Sequence, residues 1–320
     1  MKKNLLSLLF IFISITGFCQ QEDSLIVFSM VGDVQITLDF PSCFSSSQKN
    51  KIILYALPNG SSTAQTMGKK IEPGDDWRFD IQHIRAQTHF IRNKMKGENV
   101  VVVYLENSFK SWPLWKSKHE NYISMVQHIV DTLYNMFPSK RSTLCLNGHS
   151  GGGRFIFSYL DGLRNIPKYI DRIVFLDSDY GYENSYGIQI RKWLQADKHH
   201  RLQVFAYEDS LVEVNGKRIV SDTGGTWYRT HLMLKYLSAF YSFKFVERDS
   251  LLIYKSINYQ IAFYLKPNPE KKIYHTTQVE LNGFIHSILA GTRFESEGYQ
   301  YFGKRFINEI IQMVFPVFFF

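Results

Sequence analysis

"LCLNGHSGGGRFIFSYL", residues 144–160, places Gly-His-Ser-Gly-Gly-Gly between a short apolar run and an aromatic run of helical character. Glycine loses more backbone freedom on folding than any other residue, so four of them in six positions weaken any regular element. The order strand, Gly148-x-Ser150-x-Gly152, helix accounts for them. It describes a sharp turn that holds a serine hydroxyl exposed at the C-terminal edge of a sheet, with Gly148 and Gly152 carrying no side chain to strike the neighbouring strand and helix. A helix starting near Gly151 points its free amides and positive dipole end at any oxyanion forming beside Ser150. A phosphate-cradling loop is excluded, because Gly153-Arg154-Phe155 stands where that loop needs Lys followed by Ser or Thr.

Outward from this turn, β-rich and helical patterns alternate. "ENVVVVYLE" (98–106) has four consecutive valines and no alternation, which suits a strand buried on both faces of a parallel sheet. "STLCLN" (142–147), "IDRIVFLD" (170–177) and "RLQVFAYED" (201–209) read as further strands, and "DVQITLDF" (33–40) and "KIILYALPNG" (51–60) as earlier ones. Residues 80–95, 120–138, 186–197 and 226–240 carry helical spacing, the second closed by Pro138. The alternation from 98 to 240 predicts an α/β fold with a mostly parallel central sheet covered by helices on both faces. No Ser/Gly/Pro-rich linker divides the chain, so residues 20–320 are expected to form one domain.

"NGHSGGG" and the strand order around it resemble the α/β-hydrolase superfamily over most of residues 30–310. The resemblance implies a serine nucleophile, then an acid, then a histidine along the chain. Ser150 is the expected nucleophile. The base is expected on a loop after the last strand, and His286 in "ELNGFIHSIL" meets that condition if 271–281 is the last strand. On the same reading His275 falls inside that strand, His149 lies within the turn, and His83, His89, His128 and His231 sit in helical patterns. His199 and His200 belong to a charged connector. The acid has two candidates. Asp177 ends an apolar strand abruptly, a position where a partly buried carboxylate needs a partner. Asp209, beside Glu208, sits one strand later where the family usually carries its acid, but "SLVEVNGKRIVS" follows it as a hairpin turning at Asn215-Gly216 rather than a helix. Asp177 is favoured, Asp209 is the alternative and Asp179 a minor option. The oxyanion hole calls for the Gly151 amide and a second donor from the loop holding Asn59 and Gly60.

Composition narrows the function classes. The 320 residues are 45% hydrophobic and 16% aromatic, with a formal charge of +8. The basic residues are scattered rather than set in a stripe with aromatics, which argues against nucleic-acid binding. "MKKNLLSLLFIFISITGFC" (1–19) has a basic start, an apolar stretch and small residues near its end, the pattern of a secretory leader cut before Gln20. Removing it leaves 35 Lys and Arg against 29 Asp and Glu, or +6. Lipidation at Cys19 is the lesser alternative, since Phe18 is bulky where that signal wants a small residue. No other run reaches membrane-spanning length, "VFPVFFF" included. Cys43 and Cys145 alone make no disulfide framework. No His-Glu-x-x-His or similar spacing calls for a metal, and no cofactor is expected. The sequence therefore predicts an exported serine hydrolase of a carboxylic ester, either a small molecule or one linked to a polysaccharide, with Trp77, Trp112 and Trp115 as candidates for a sugar platform. A peptidase or amidase on the same residues, and a non-catalytic binding protein on the same scaffold, are the alternatives.

Overall fold

Val100, Val101, Val102 and Val103 are each fully buried, and successive valines face opposite cores. Side chains alternate across a strand, so a run with no polar position can be accommodated only where both faces of the sheet are covered. The computed structural model describes residues 18–19, 23–137, 140–248, 250–280, 282–295 and 312–314. Its main sheet contains β1 (Ser24–Met30), β2 (Val34–Phe40), β3 (Lys49–Ala56), β4 (Glu98–Asn107), β5 (Ser142–His149), β6 (Ile170–Leu176), β7 (Arg201–Tyr207), β8 (Phe243–Arg248), β9 (Leu251–Ser256), β10 (Ile261–Lys266) and β11 (Gln312–Val314).

The strands lie in the order β8-β9-β10-β7-β6-β5-β3-β4-β2-β1-β11. From β10 through β7, β6, β5 and β3 to β4 every pairing is parallel. β2 runs antiparallel to β4, β1 to β2, β9 to β10 and β8 to β9. Read from β1, the run β1-β2-β4-β3-β5-β6-β7-β10 is the strand order of the α/β-hydrolase fold, with the antiparallel second strand of that fold. The expected fold class is therefore the observed one.

Helices cover both faces. On one side α2 (Tyr122–Asn135) buries Val126, Ile129, Val130 and Leu133, spaced three and four residues apart as a single helical stripe requires. α3 (Gly153–Asp161), α4 (Asn184–Ala196) and α5 (Thr226–Ser238) complete that layer, and Phe155, Trp193 and Met233 join its core. On the other side α1 (Ile84–Lys94) and α6 (Gly283–Leu289) bury Ile84, Ile91, Phe284 and Ile288. Trp112 and Trp115 are core residues, 2% and 1% exposed and packed edge-to-face on each other, so of the three tryptophans only Trp77 stands out from the surface.

The leader expected over residues 1–19 lies outside the described residues except for Phe18–Cys19, which form a short antiparallel ladder with Cys43–Phe44. Cys43 is disulfide-bonded, against the expectation of no disulfide, and Cys145 is a buried free thiol. The "VFPVFFF" tail also lies outside the described residues apart from Val314, the last residue of β11. No helix among the described residues is long and apolar enough to cross a membrane.

Candidate active site

β5 ends at His149, and the chain makes one tight 3-10 turn, Ser150–Gly152, before α3 begins. Ser150 has φ +54°, in the left-handed region where a residue with a side chain costs on the order of 1–3 kcal/mol. Packing imposes the turn. A Cβ on Gly152 would lie 2.1 Å from the Ala56 carbonyl oxygen, and one on Gly153 1.7 Å from that of Ser178, so the turn closes directly on the ends of β3 and β6. Those glycines are required by close approach. The side chain of Asn59 occupies the space beside Gly151, where a Cβ would meet its Oδ1 at 2.0 Å. The loop after β3 is pinned in turn by the Gly60 amide, which donates to the Lys110 carbonyl at 2.7 Å. Gly151 and Asn59 are thus adjacent.

The end of β6 supplies a carboxylate. Asp177 also adopts a left-handed backbone, with φ +47°, and its side chain is fully buried. Its amide donates to the Phe205 carbonyl at 2.7 Å. Oδ1 accepts from the Thr226 hydroxyl, and Oδ2 pairs with Nδ1 of His275. That leaves Nε2 as the open nitrogen of a ring that is 23% exposed. His275 lies beside the residue that precedes Ser150: the His149 and His275 rings are 4.9 Å apart at 31°. His149 Nε2 is 3.2 Å from the His275 carbonyl, and as the donor there it requires the Nε2–H tautomer. Burial, and then the neighbouring His275, push the His149 pKa well below the ordinary imidazole value, so it is neutral and supports the His275 loop.

Three carboxylates crowd this end of the sheet. Asp209 follows β7, is 1% exposed, and accepts from the amides of Thr226 at 2.8 Å and Trp227 at 3.4 Å. Burial, reinforced by the charge of Asp177, pushes it up to about 6. Asp179 accepts from the Thr230 hydroxyl at 2.9 Å, and burial together with the charges of Asp177 and Asp209 holds it well above the usual carboxylate range. The hairpin expected after Asp209 is present as Glu213–Val214 paired with Lys217–Arg218.

His286, expected from sequence as the base, lies elsewhere. It sits in α6 and lines a cavity of about 180 Å³ with Phe90, Lys94, Tyr264, Ile285 and Leu289, on the α1 side of the sheet. The carbonyls of Ser287, the next residue of α6, and of Ala290, just after α6, accept from Arg172 at 2.7 Å each. Arg172 is near the start of β6, five residues before Asp177, or roughly 16 Å along a strand. The histidine joined to Asp177 is His275. The difference traces to a strand boundary. Residues 271–276 are loop, not strand, and the strand before them is β10, ending at Lys266 before Pro267-Asn268-Pro269. That Pro-Asn-Pro sequence is the available signal, since proline ends regular pairing. Among the described residues no group of three or more His, Cys, Asp or Glu side chains is arranged to hold a metal ion.

No protein-family model and no curated protein matches the sequence. Solved structures with similar backbones include the feruloyl esterase module from Clostridium thermocellum, 13% identical over 88% of this chain and 93% of that one, with a TM-score of 0.43. Poly(aspartic acid) hydrolase-1 from Sphingomonas sp. KT-1 is 12% identical over 85% and 99%, with a TM-score of 0.44. A glucuronoyl esterase from Solibacter usitatus is 11% identical over 80% and 77%, with a TM-score of 0.42.

Proposed function

We propose that this chain is an exported serine hydrolase of carboxylic esters, with Ser150 as nucleophile, His275 as base and Asp177 as acid. The observation that carries the reading is the pairing of buried Asp177 with His275 Nδ1, on a ring packed against the residue next to Ser150. An aspartate on Nδ1 fixes the imidazole tautomer so that Nε2 is the basic atom. Nε2 takes the Ser150 proton as Oγ attacks the ester carbonyl, and returns it to the leaving alcohol as the tetrahedral intermediate collapses to an acyl-enzyme. Water, deprotonated by the same nitrogen, then releases the acid. The Gly151 amide and the Asn59 loop are the donors for the oxyanion, whose stabilisation is the largest single electrostatic contribution in such reactions. No step calls for a metal.

The leader over 1–19 supports export, and Trp77, 62% exposed with the Arg78 guanidinium 4.9 Å over its ring, supports a ring-bearing substrate such as a carbohydrate ester. Arg78 lies next to Gly60, where a Cβ would meet its Nε at 3.5 Å, so this aromatic surface adjoins the Asn59 loop. The test is labelling with a fluorophosphonate probe, followed by turnover of a nitrophenyl ester. Stoichiometric labelling of wild type, lost in Ser150→Ala, is expected. An unlabelled wild type removes the proposal.

A further inference from the structure

Two buried carboxylates stand where a Ser-His-acid site uses one. Asp177 follows β6 and Asp209 follows β7, and one residue joins them. Thr226, the first residue of α5, gives its amide to Asp209 Oδ2 at 2.8 Å and its hydroxyl to Asp177 Oδ1. The same hydroxyl oxygen is 3.4 Å from Asp209 Oδ2. A hydroxyl has one proton to donate, and the closer acceptor is Asp177. Asp209 is therefore satisfied by backbone amides, and it packs hard on the start of α5, since a Cβ on Gly225 would lie 2.3 Å from its Oδ1.

We infer that Asp209 and Thr226 are positioning residues: Asp209 anchors the first turn of α5, and Thr226 holds Asp177 Oδ1 so that Oδ2 stays on His275. The inference rests on the hydrolase reading above. Held at both oxygens, the Asp177 carboxylate cannot rotate away from the imidazole. The ionisable groups facing Asp209 are Asp177, Asp179 and the hydroxyls of Tyr180 and Tyr207. Asp209 thus sets the charge behind the dyad as well as its geometry.

Thr226→Val removes the donor that fixes Asp177 Oδ1 and lets the carboxylate turn off the imidazole, whereas Thr226→Ser keeps that donor. Asp209→Asn removes a negative charge beside Asp177 and leaves the Thr226 hydroxyl in place. The experiment reads the low-field Nδ1–H resonance of His275 by NMR in wild type, Thr226→Val, Thr226→Ser and Asp209→Asn, together with kcat and KM on a nitrophenyl ester. Thr226→Val is expected to lower kcat roughly tenfold or more, the size of a lost hydrogen bond to a charged group, with KM within about twofold; Thr226→Ser restores most of it. A His275 Nδ1–H resonance that stays where it is in Thr226→Val overturns the inference. So does a Thr226→Ser variant that folds and remains as slow as Thr226→Val. If Thr226→Val does not fold, the shift in Asp209→Asn and the recovery in Thr226→Ser decide the matter. Absence of fluorophosphonate labelling in wild type would remove the hydrolase reading, while the Nδ1–H resonance would still test the positioning.

Discussion

Two clusters of buried carboxylates sit in this molecule, and they are built in opposite ways. In the first, Asp39 at the end of β2 and Asp23 just before β1 face Arg92, Arg85 and His89 from α1. Arg92 Nη1 lies 2.8 Å from Asp39 Oδ1 and also pairs with Asp23, and its Nη2 donates to the Asp39 carbonyl at 2.5 Å. His89 is 3.0 Å from Asp23. Burial alone would push Asp23 up, but the His89 hydrogen bond and the Arg92 charge outweigh it and hold the carboxyl at about 2. In the second cluster, Asp177, Asp179 and Asp209 meet hydroxyls, amides and one imidazole, and two of the three are pushed up. Cations make buried carboxylates inert. Carboxylates crowded together with no cation among them are pushed up toward the neutral range, which costs stability and is the pattern of functional sites.

The largest effect that separates the clusters is on turnover. Ser150→Ala is expected to lower kcat for a nitrophenyl ester by about 10⁶, with unfolding behaviour unchanged. A variant that retains near wild-type turnover breaks the assignment of function to this end of the sheet.

Next comes the dyad. Asp177→Asn is expected to cost about 10⁴ in kcat, because the amide stabilises the wrong imidazole tautomer, and His275→Ala about 10⁵ or more. His286→Ala, in the cavity on the α1 side, should leave kcat within about threefold, being a contact removed from a site the reaction does not use. A loss in His286→Ala larger than that in His275→Ala returns the base to the position expected from sequence.

The cationic cluster predicts the reverse pattern. Arg92→Ala removes the partner of two buried carboxylates and is expected to cost about 3–5 kcal/mol of stability, read by urea unfolding at neutral pH. Fluorophosphonate labelling of the fraction still folded should proceed at the wild-type rate. A variant that folds stably but labels slowly would mean that the two clusters are coupled.

How much of this was legible in the sequence follows from range. The turn at Ser150 could be read locally, because close approach to β3 and β6 forces small residues within six positions. Val100–Val103 and the apolar β5–β7 runs gave the buried strands, since coverage on both faces abolishes alternation. Asp177 could be placed because an apolar strand ends on it. His275 could not, because the choice depended on whether 271–281 pairs with a neighbour, which is a long-range fact. A Tyr-His-Thr-Thr run has the composition of a strand, yet Pro267 and Pro269 had already ended the one before it. The Thr226–Asp177 contact spans 49 residues, and Asp39–Arg92 spans 53. Nothing local announces either.

The smallest expected effect is also the most direct measure of the difference between the clusters. Asp209 is pushed up to about 6 in the folded chain from an ordinary 3.8. A carboxyl raised on folding contributes stability that is fully present below about pH 3.8 and is lost as pH rises through about 6, because the unfolded chain ionises more readily. The shift of about two units corresponds to about 3 kcal/mol, already lost at pH 8 and only partly lost at pH 5. Asp23 runs the other way: held at about 2, its contribution is present above the ordinary carboxylate range and is lost only as pH falls toward 2, so it is constant from pH 5 to 8. Asp209→Asn should therefore show a smaller fall in unfolding free energy between pH 5 and pH 8 than wild type, by about 1.4 kcal/mol, since part of the loss has occurred by pH 5. The cost of offering an amide where the Thr226 and Trp227 amides want an acceptor is the same at both pH values and cancels in the difference. Urea unfolding of both proteins at the two pH values measures it. Equal falls would show that Asp209 ionises in the folded chain as readily as in the unfolded one, and the contrast with Asp23 would disappear.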